Sequence, residues 1–330
     1  MMGRAMTIDR AQGNPRSRSR VAVVIPCFNE EVTIGDVVQQ FRQQLPDALI
    51  CVFDNASTDR TVERAQAAGA RVLHEARRGK GFVVQSIFRQ IDTDIYVLVD
   101  GDATYPAAAV HTLIAPIAAG EADMVVGSRL HARSNSEFRH LNRWANRLVL
   151  WILRLVFGVR LTDVLSGYRT FNRRFVKNLA LFGGGFEIET ELTIKAVARG
   201  YRIVEVPVDL TSRPEGSHSK VNLVRDGMLV LTTILTLFRD YKPLTFFGSL
   251  GLLFMAGALI PGLTALAEYF RSGFVQLPAA VLAAGLAVCG LLLATIGLLL
   301  HSIARRAQEF DYQIQMLGDQ LRRDESDSAR

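Results

Sequence analysis

The sequence predicts an α/β fold, with helices flanking a sheet, followed by two membrane-spanning helices. Short β-branched runs alternate with helical stretches over residues 21–95, and such alternation is typical of a parallel sheet covered by helices. Near the C-terminus, the uncharged stretches 244–267 and 277–300 each exceed the roughly 20 residues that cross a bilayer as a helix.

The sheet pattern also indicates where ligands bind. Strands are predicted at 21–26, 49–53, 71–74 and 94–99, with helices between them at 30–44, 61–68 and 81–90. Ligands of such sheets bind beyond the carboxyl ends of the strands. We therefore expect the functional residues just after the first, second and fourth of these strands.

Composition and charge indicate which classes of molecule the protein can bind. The chain has 330 residues, a net charge of +6 and a pI near 9.5, which fits contact with anionic lipid, nucleotide or nucleic acid. Residues 1–20 carry scattered arginines and are predicted to be a disordered basic arm, with an unselected tail as the alternative. No nucleic-acid-reading module is recognisable, so we expect no nucleic-acid partner. The three cysteines lack metal-type spacing, which indicates a reduced soluble part.

The rest of the chain divides into further segments. Residues 21–220 are predicted to form the main soluble domain, and 221–243 an interfacial helix. Residues 244–303 hold the two spans, and 304–330 form a polar tail. Within the soluble domain, 137–159 places aromatic and leucine residues on one helix face and arginines on the other. This pattern favours a second interfacial helix over a buried core helix.

Charges flanking the spans predict their orientation. Arg239 and Lys242 precede the first span, and Arg305 and Arg306 follow the second, whereas the connector carries little charge. The positive-inside rule places both flanks in the cytoplasm. We expect a multi-pass protein of the inner (cytoplasmic) membrane, with the soluble domain and both termini cytoplasmic and membrane lipids as partners.

The sharpest chemical motif is Asp100-Gly101-Asp102, directly after the fourth predicted strand. Residues two apart on extended chain face the same way, so the two carboxylates converge at a strand end. Such a pair suits a divalent ion that also holds substrate phosphates. Asp100 and Asp102 are the predicted metal ligands, and a turn without a ligand is the alternative.

Two more polar turns are predicted at the same edge. The segment 54–59 begins with Asp54 and Asn55 after the second strand, and offers a carboxylate and an amide for a ribose or base edge. The first strand ends at Pro26, where we expect Asn29 to cap the next helix and Glu30 to face the ligand. Asp59 is predicted to be a helix N-cap.

Together these motifs resemble family 2 glycosyltransferases with the GT-A fold, a Rossmann-like mixed sheet flanked by helices. Later motifs resemble the polyprenyl-phosphate branch of that family, typified by dolichyl-phosphate mannose synthases and bacterial undecaprenyl-phosphate glucosyltransferases. These motifs are Gly127-Ser128-Arg129, Asp163 to Arg169, Gly185 to Glu191, and Arg213 through Ser219-Lys220. The likeness covers about 21–300.

The resemblance implies a role for each matching residue. Asp54 would contact the nucleoside, and Asp100 and Asp102 the diphosphate through Mg²⁺ or Mn²⁺. Asp163 would lie close to the acceptor. Phosphate ligands would be Arg129, Arg169, Arg213 and Lys220, and further substrate contacts would come from Pro26, Asn29, Glu30, Asn55, Lys80, Gly101, Glu187 and Ser219.

In two places the sequence departs from the family pattern. Asn55 replaces the second Asp usual in the nucleotide motif, and Thr104 stands where a metal-side Gln often occurs. We interpret Asp163 first as an orienting group and second as a base, because a phosphate monoester with a second pKa near about 6 is already largely dianionic at neutral pH. Asp102 and Arg169 complete the expected catalytic set.

The implied reaction is inverting transfer of a hexose from UDP-hexose or GDP-mannose to a polyprenyl phosphate, undecaprenyl or dolichyl. The product would supply lipid-linked sugar for cell-envelope glycan or glycolipid modification. A homo-oligomer is compatible with the sequence. The alternatives are a processive or soluble-acceptor enzyme of the same family and a nucleotide-binding scaffold. A dinucleotide oxidoreductase is disfavoured, because Gly79-Lys80-Gly81 lacks the third glycine of that fingerprint.

Overall fold

The structure, a computed structural model, describes residues 19–129, 140–158, 160–211 and 223–328. Most of the predicted basic arm lies outside these ranges. Three predicted substrate ligands, Arg213, Ser219 and Lys220, also lie outside the described residues.

The described residues form a seven-stranded mixed sheet in the order β3-β2-β1-β4-β6-β5-β7. The antiparallel strand β6 lies between β4 and β5, and all other pairings are parallel. The four strands predicted from the sequence are confirmed as the first four. The strands are β1 (Val21–Cys27), β2 (Leu49–Asp54), β3 (Arg71–His74), β4 (Ile95–Leu98), β5 (Met124–Ser128), β6 (Arg169–Asn172) and β7 (Ile203–Pro207).

Ten helices accompany the sheet within the described residues. The first three correspond to the helices predicted between the strands, but α1 begins at Ile34 and not at residue 30. A short 3₁₀ helix, Ala107–Ala109, precedes the fourth. The helices are α1 (Ile34–Gln44), α2 (Thr61–Ala67), α3 (Lys80–Gln90), α4 (Val110–Ala118), α5 (His140–Phe157), α6 (Arg173–Asn178), α7 (Ile188–Ala198), α8 (Leu223–Tyr241), α9 (Pro243–Ser272) and α10 (Leu277–Ser328).

Alternation along β1 explains how both faces of the sheet are covered. Val23 and Ile25 point into one core with α1 and α4, whereas Ala22 and Val24 point into a second core with α3 and α7. Successive strand residues face opposite sides, and a strand that is buried on both faces is typical of parallel sheets between helix layers. The resulting three-layer arrangement leaves the carboxyl edge of β1, β2 and β4 open for a site.

A third apolar cluster joins this domain to the C-terminal helices. Leu153 of α5, Ile194 of α7 and Ile234 of α8 are all buried in it. The opposite side of α5 exposes Trp151 and Leu155, which are 61% and 69% accessible. In the described part of α5, one of the two helices predicted to be interfacial, one face therefore packs in the cluster with α8 and the opposite face is exposed.

Helices α9 and α10 form an antiparallel hairpin long and apolar enough to cross a membrane. Small residues permit the close approach. A Cβ on Gly251 would collide with Gly290 O, and one on Gly290 with the Gly251 backbone and Met255. Such small-residue contacts are common where membrane helices touch. Helix α10 does not end after the span but continues to Ser328, through the segment that the sequence predicts to be a polar tail with at most a short helix.

Candidate active site

Three residues with left-handed backbone mark the open edge of the sheet. Asn29, Ala56 and Ala103 follow β1, β2 and β4 and have φ of 51°, 59° and 58°. Non-glycine residues adopt this conformation at a cost of about 1–3 kcal/mol, and they cluster at functional sites. The strain therefore coincides with the three turns in which the sequence placed the ligands.

Lys80 connects two carboxylates at this edge. Its Nζ lies 2.5 Å from Asp100 Oδ1 and 2.6 Å from Glu189 Oε1, and its side chain is only 10% accessible. Burial alone would lower the pKa of Lys80, but the two carboxylates outweigh burial and raise it. Lys80 is thus a fixed cation at the base of the site.

The second carboxylate of the pair is held by its own turn. Asp102 Oδ1 accepts hydrogen bonds from Thr104 N at 3.1 Å and Thr104 Oγ1 at 2.6 Å. Glycines flank the carboxylates at points of close approach: a Cβ on Gly101 would collide with Cys27 Sγ, and one on Gly167 with the Asp100 carboxylate. Asp100 and Asp102 are therefore oriented by tight backbone packing.

These side chains fit only part of a divalent metal shell. Carboxylate oxygens suit Mg²⁺ or Mn²⁺, and Asp100 keeps 28% of its side chain accessible. Among the described residues there is no group of three His, Cys, Asp or Glu that could hold a metal ion. Within the described part of the chain, Asp100 and Asp102 would therefore provide two ligands of such a metal and leave its other coordination positions for further groups.

The turn after β1 is tied to the turn after β2. Asn29 Oδ1 accepts from Thr58 N at 2.8 Å, and its backbone N donates to Ser57 Oγ. The predicted capping role of Asn29 is wrong, because α1 begins at Ile34 and has no side-chain cap. The backbone N of Glu30 donates to Thr61 Oγ1.

Two other predicted residues lie close to these turns. Pro26 lies inside β1, opposite Phe53. Asp59 is not the helix N-cap that the sequence predicts, because the N-cap of α2 is Arg60. Asp59 lies one residue earlier, where its Oδ1 accepts from Thr61 N at 3.0 Å and its Oδ2 accepts from Glu31 N at 3.1 Å.

Asp54 lies beside this turn at the end of β2. Its Oδ1 accepts from Ser57 N at 3.2 Å, and its Oδ2 lies 3.3 Å from His74 Nδ1. His74 is exposed, whereas Asp54 is almost fully buried. His74 was not among the predicted site residues. The sequence signal that indicates it is a histidine at the carboxyl end of the neighbouring strand, β3.

Asn55 does not read a ligand in this arrangement. Its Nδ2 donates to Glu75 O at 3.0 Å and Arg77 O at 2.7 Å, and its Oδ1 accepts from Gly79 N at 2.7 Å. Both amide hydrogens are used, and the residue is 6% accessible. The expected nucleoside contact is therefore corrected: Asn55 anchors the loop that leads into Lys80.

Arg129 and Asp163 form a bidentate ion pair. Arg129 Nε lies 2.7 Å from Asp163 Oδ2, and Nη2 lies 3.0 Å from Oδ1. Burial opposes ionisation of Asp163, but the Arg129 guanidinium outweighs it and lowers the pKa of the carboxyl. Arg129 retains 22% of its side-chain accessibility, whereas Asp163 retains 1%. Asp163 therefore fixes the position of Arg129, which is the more accessible member of the pair.

Arg169, a predicted phosphate ligand, is fully buried. Its guanidinium donates to Ser166 O at 2.9 Å, to Thr193 Oγ1 at 3.0 Å and to Val164 O. A phosphate contact by Arg169 is contradicted by this burial. Arg169 links helix α7 to the turn that contains Asp163, and is therefore a positioning residue.

Three glutamates, Glu187 at the N-cap of α7 and Glu189 and Glu191 within the helix, shape one wall of the site. Glu187 Oε1 accepts from Gly185 N at 2.9 Å, Glu189 holds Lys80, and Glu191 accepts from Phe182 N and Gly183 N. Within the described part of the chain, Glu187 Oε2 is buried without a hydrogen-bond partner. The three glutamates thus fix the glycine-rich loop 183–185 and hold Lys80.

The same loop packs on the start of α3. A Cβ on Gly79 or Gly81 would collide with the carbonyl of Gly184 or Gly183, respectively. The glycines at 79 and 81 are explained by this contact. They are unrelated to a dinucleotide fingerprint.

Comparison with known proteins identifies the family. A model of the glycosyl transferase family 2 domain matches residues 22–180. The glycosyltransferase AglJ of Haloferax volcanii is 33% identical over 232 residues, which cover 70% of this chain and 76% of that protein. The chain belongs to glycosyl transferase family 2. The family predicted from the sequence is confirmed, and the chain is a glycosyltransferase.

Two further relatives carry names that state their acceptors. The dolichyl-phosphate hexose transferase of Haloferax volcanii is 30% identical over 58% of this chain and 83% of its own length. The undecaprenyl-phosphate mannosyltransferase of Micrococcus luteus is 27% identical over 60% of this chain and 86% of its own length. Both named acceptors are polyprenyl phosphates.

Solved structures support the GT-A fold. Glucosyl-3-phosphoglycerate synthase of Mycobacterium tuberculosis, in complex with Mn²⁺ and UDP-glucose, aligns with a TM-score of 0.58 and 26% identity. The alignment covers 67% of this chain and 79% of that one. The predicted fold class, a mixed sheet flanked by helices with two apolar C-terminal helices, is confirmed.

Proposed function

We propose that this glycosyltransferase moves a hexose from a nucleotide diphosphate, UDP or GDP, to a polyprenyl phosphate at the membrane surface. The observation that carries the proposal is the position of α7. One of its side chains, Glu189, holds Lys80 in the polar site, whereas Ile194 is buried against α5 and α8. Phe238 of α8 in turn packs against Phe246 of α9, so packed helices connect the polar site to the apolar hairpin.

A second contact supports this coupling. Lys242, which precedes α9, donates from Nζ to Val156 O in the last turn of α5 at 2.7 Å. A cation at a helix C-terminus is favourable. A lipid tail held beside the hairpin would therefore lie at a fixed distance from the site.

Donor binding is assigned to the turns at the strand ends. Asp54 would contact the nucleoside. Lys80 and Arg129 provide positive charge where the diphosphate leaves, and preorganised charge of this kind stabilises a developing anion. Asp100 and Asp102 would hold Mg²⁺ or Mn²⁺, which supplies Lewis-acid stabilisation of the leaving diphosphate when bound.

The acceptor needs no strong base. An oxygen of the acceptor phosphate attacks the anomeric carbon, the bond to the nucleoside diphosphate breaks, and the configuration inverts. A phosphate monoester is largely dianionic at neutral pH, since its second pKa is about 6. Asp163, a carboxylate engaged by Arg129, would act by keeping that guanidinium in place.

We place the site on the cytoplasmic face of the inner membrane. Arg239 and Lys242 precede the hairpin, and Arg305 and Arg306 follow its second helix, whereas the residues joining the two helices are uncharged. Positive residues favour the cytoplasmic side. The exposed Trp151 and Leu155 on α5 would then rest in the headgroup region.

The deciding experiment uses purified full-length protein in nanodiscs with undecaprenyl phosphate. UDP-glucose, UDP-N-acetylglucosamine and GDP-mannose are supplied separately, and the lipid product is identified by mass spectrometry. We expect one donor to give a hexosyl-phosphoryl lipid. A matched arm replaces the lipid with phosphoglyceric acid, the soluble phosphate named in complexes of the structural neighbours. Efficient transfer to that acceptor, with none to the lipid, would replace the polyprenyl proposal.

A further inference from the structure

Helix α10 continues well beyond the apolar segment that pairs with α9. From Arg305 onward, every side chain of the helix that the structure describes is exposed. An unpacked helix in water is marginal, because tertiary contacts provide most helical stability in proteins. This extension therefore needs a partner that covers one of its faces.

Most of the exposed large apolar residues of this extension form one narrow stripe, and Met316 lies outside it. Phe310, Ile314 and Leu317 are 65%, 68% and 58% accessible, and with Ile303 they lie within about 60° of the helix circumference. We call Ile303, Phe310, Ile314 and Leu317 the C-terminal stripe. The opposite face is polar and carries Arg305, Gln308 and Glu309.

The spacing of the stripe is that of a coiled-coil seam. Ile303, Phe310 and Leu317 are seven residues apart and occupy heptad position d, and Ala307, Ile314 and Leu321 occupy position a. Alternating steps of three and four residues produce a left-handed supercoil. In one heptad, Ile314 at a and Leu317 at d form the combination that favours a parallel dimer. The sequence signal was present, but the polar residues between these positions obscured it.

We propose that the C-terminal stripe pairs with the same stripe of a second copy of this chain as a parallel coiled coil. All copies cross the membrane in the same direction, so neighbouring α10 helices emerge parallel. A parallel pair sets position g against position e of the next heptad of its partner. Here these positions hold Arg306 and Asp311, so both symmetry-related pairs are of opposite charge.

Charges elsewhere along the seam agree with self-association. The next two facing g and e positions combine Gln313 with Gly318 and Gln320 with Glu325, so no like charges oppose each other. The coiled coil would join two hairpins and place two catalytic domains side by side on one membrane face.

Cysteine cross-linking in native membranes tests the pairing. Cys289, which is exposed in the span, is first replaced by Ser, while Cys27 and Cys51 are buried. In this background Ile314→Cys is oxidised and compared with Met316→Cys, an exposed position outside the stripe. We expect a covalent band of twice the monomer mass for Ile314→Cys and little for Met316→Cys. Equal bands, or no dimer band, would overturn the proposal.

Charge reversal then tests the partner and the register. In the Ile314→Cys background, Arg306→Asp or Asp311→Arg should each reduce the dimer band, and the two together should restore it. In a separate experiment, light scattering measures the mass of the protein in detergent. Leu317→Glu should halve this mass, whereas Met316→Glu should not. Cross-linking of Ile314→Cys only to a different protein, or a double variant no better than the singles, would contradict pairing with a second copy.

Discussion

The ammonium group of Lys80 lies 2.5 Å from Asp100 Oδ1, so the first carboxylate of the Asp100–Asp102 pair already has a protein cation beside it. Glu189 holds the same ammonium from the opposite wall. Lys80 thereby fixes Asp100 with respect to α7 before any substrate binds. Two carboxylates share one lysine at this site. Replacing the lysine, or one of the carboxylates, therefore tests how far the site depends on each charge.

Lys80→Met should abolish transfer and lower the stability of the fold. The substitution leaves Asp100 and Glu189 without their counter-ion, and breaking a buried ion pair costs about 3–5 kcal/mol. Adding Glu189→Gln should recover part of the stability, because it removes one uncompensated charge, but not the activity. Thermal unfolding and donor binding by calorimetry measure the two effects. Recovery of both together would show that Lys80 acts only as a structural residue.

Asn55→Asp should weaken donor binding by loosening the loop before Lys80. A carboxylate cannot donate to Glu75 O and Arg77 O, and each buried unsatisfied group costs about 1–3 kcal/mol. Because Asn55 contacts backbone and not base, the loss should be the same for UDP and GDP. Nucleotide affinities of the two proteins provide the measurement. A loss restricted to one base would restore the original expectation that Asn55 reads the nucleoside.

Sequence patterns predicted the first half of the fold well because its signals are local. Each early strand is a continuous apolar run followed by a polar turn, so the positions of Asp54 and Asp100 followed from chain order alone. The contacts that were missed are distant in sequence. Lys80 meets Glu189 through tertiary packing, and nothing in either local segment indicates the pairing.

Arg169 shows a second reason why part of the site could not be predicted from the sequence. An arginine next to a polar motif looks like a phosphate ligand, but β6 runs antiparallel between two interior strands. Its first residue is therefore enclosed rather than presented at an open edge. Burial of a side chain depends on where its strand enters the sheet, and the strand order was not predictable from the local pattern.

Asp102→Ala should abolish transfer without unfolding the domain. Asp102 accepts hydrogen bonds from Thr104 in its own turn and lies outside the apolar cores on the two faces of the sheet, so the cores stay intact. Manganese binding in the presence of UDP, followed by electron paramagnetic resonance, should be lost along with activity. Thr104→Val is the matched variant: it removes the hydroxyl contact but keeps the carboxylate, and should retain metal binding. Normal turnover of Asp102→Ala in chelator would refute the metal assignment.

The pH dependence of transfer should follow the acceptor and not Asp163. Arg129 outweighs burial and lowers the pKa of Asp163, so this carboxyl is ionised throughout the neutral range. The ionised Asp163 carboxyl stabilises the folded state at pH values above the ordinary Asp pKa of about 4. This stabilisation is lost only as the pH falls through the lower pKa that Asp163 has in the folded protein. The acid limb of kcat should therefore fall near the phosphate pKa of about 6.

Asp163→Asn distinguishes an orienting group from a base. An amide holds Arg129 less firmly, so kcat should fall, but the midpoint of the acid limb should not move. Activity is measured between pH 5 and 8, within the range in which the phosphate titrates. If the variant lost the acid limb altogether, Asp163 would be the base and the acceptor dianion would not suffice.

The exposed side of α5 should matter only for long-chain acceptors. Trp151 and Leu155 are 61% and 69% accessible and face away from the apolar cluster that holds α5. Replacing both with Gln removes membrane-seeking surface without opening the core, so thermal unfolding should not change. The KM for undecaprenyl phosphate in vesicles should rise, by about tenfold if roughly 1.4 kcal/mol of interfacial binding is lost. A short, water-soluble prenyl phosphate should keep its KM, because it reaches the site from solution. Equal losses with both acceptors would place the effect in the site itself, and no loss with either would remove α5 from the membrane interface.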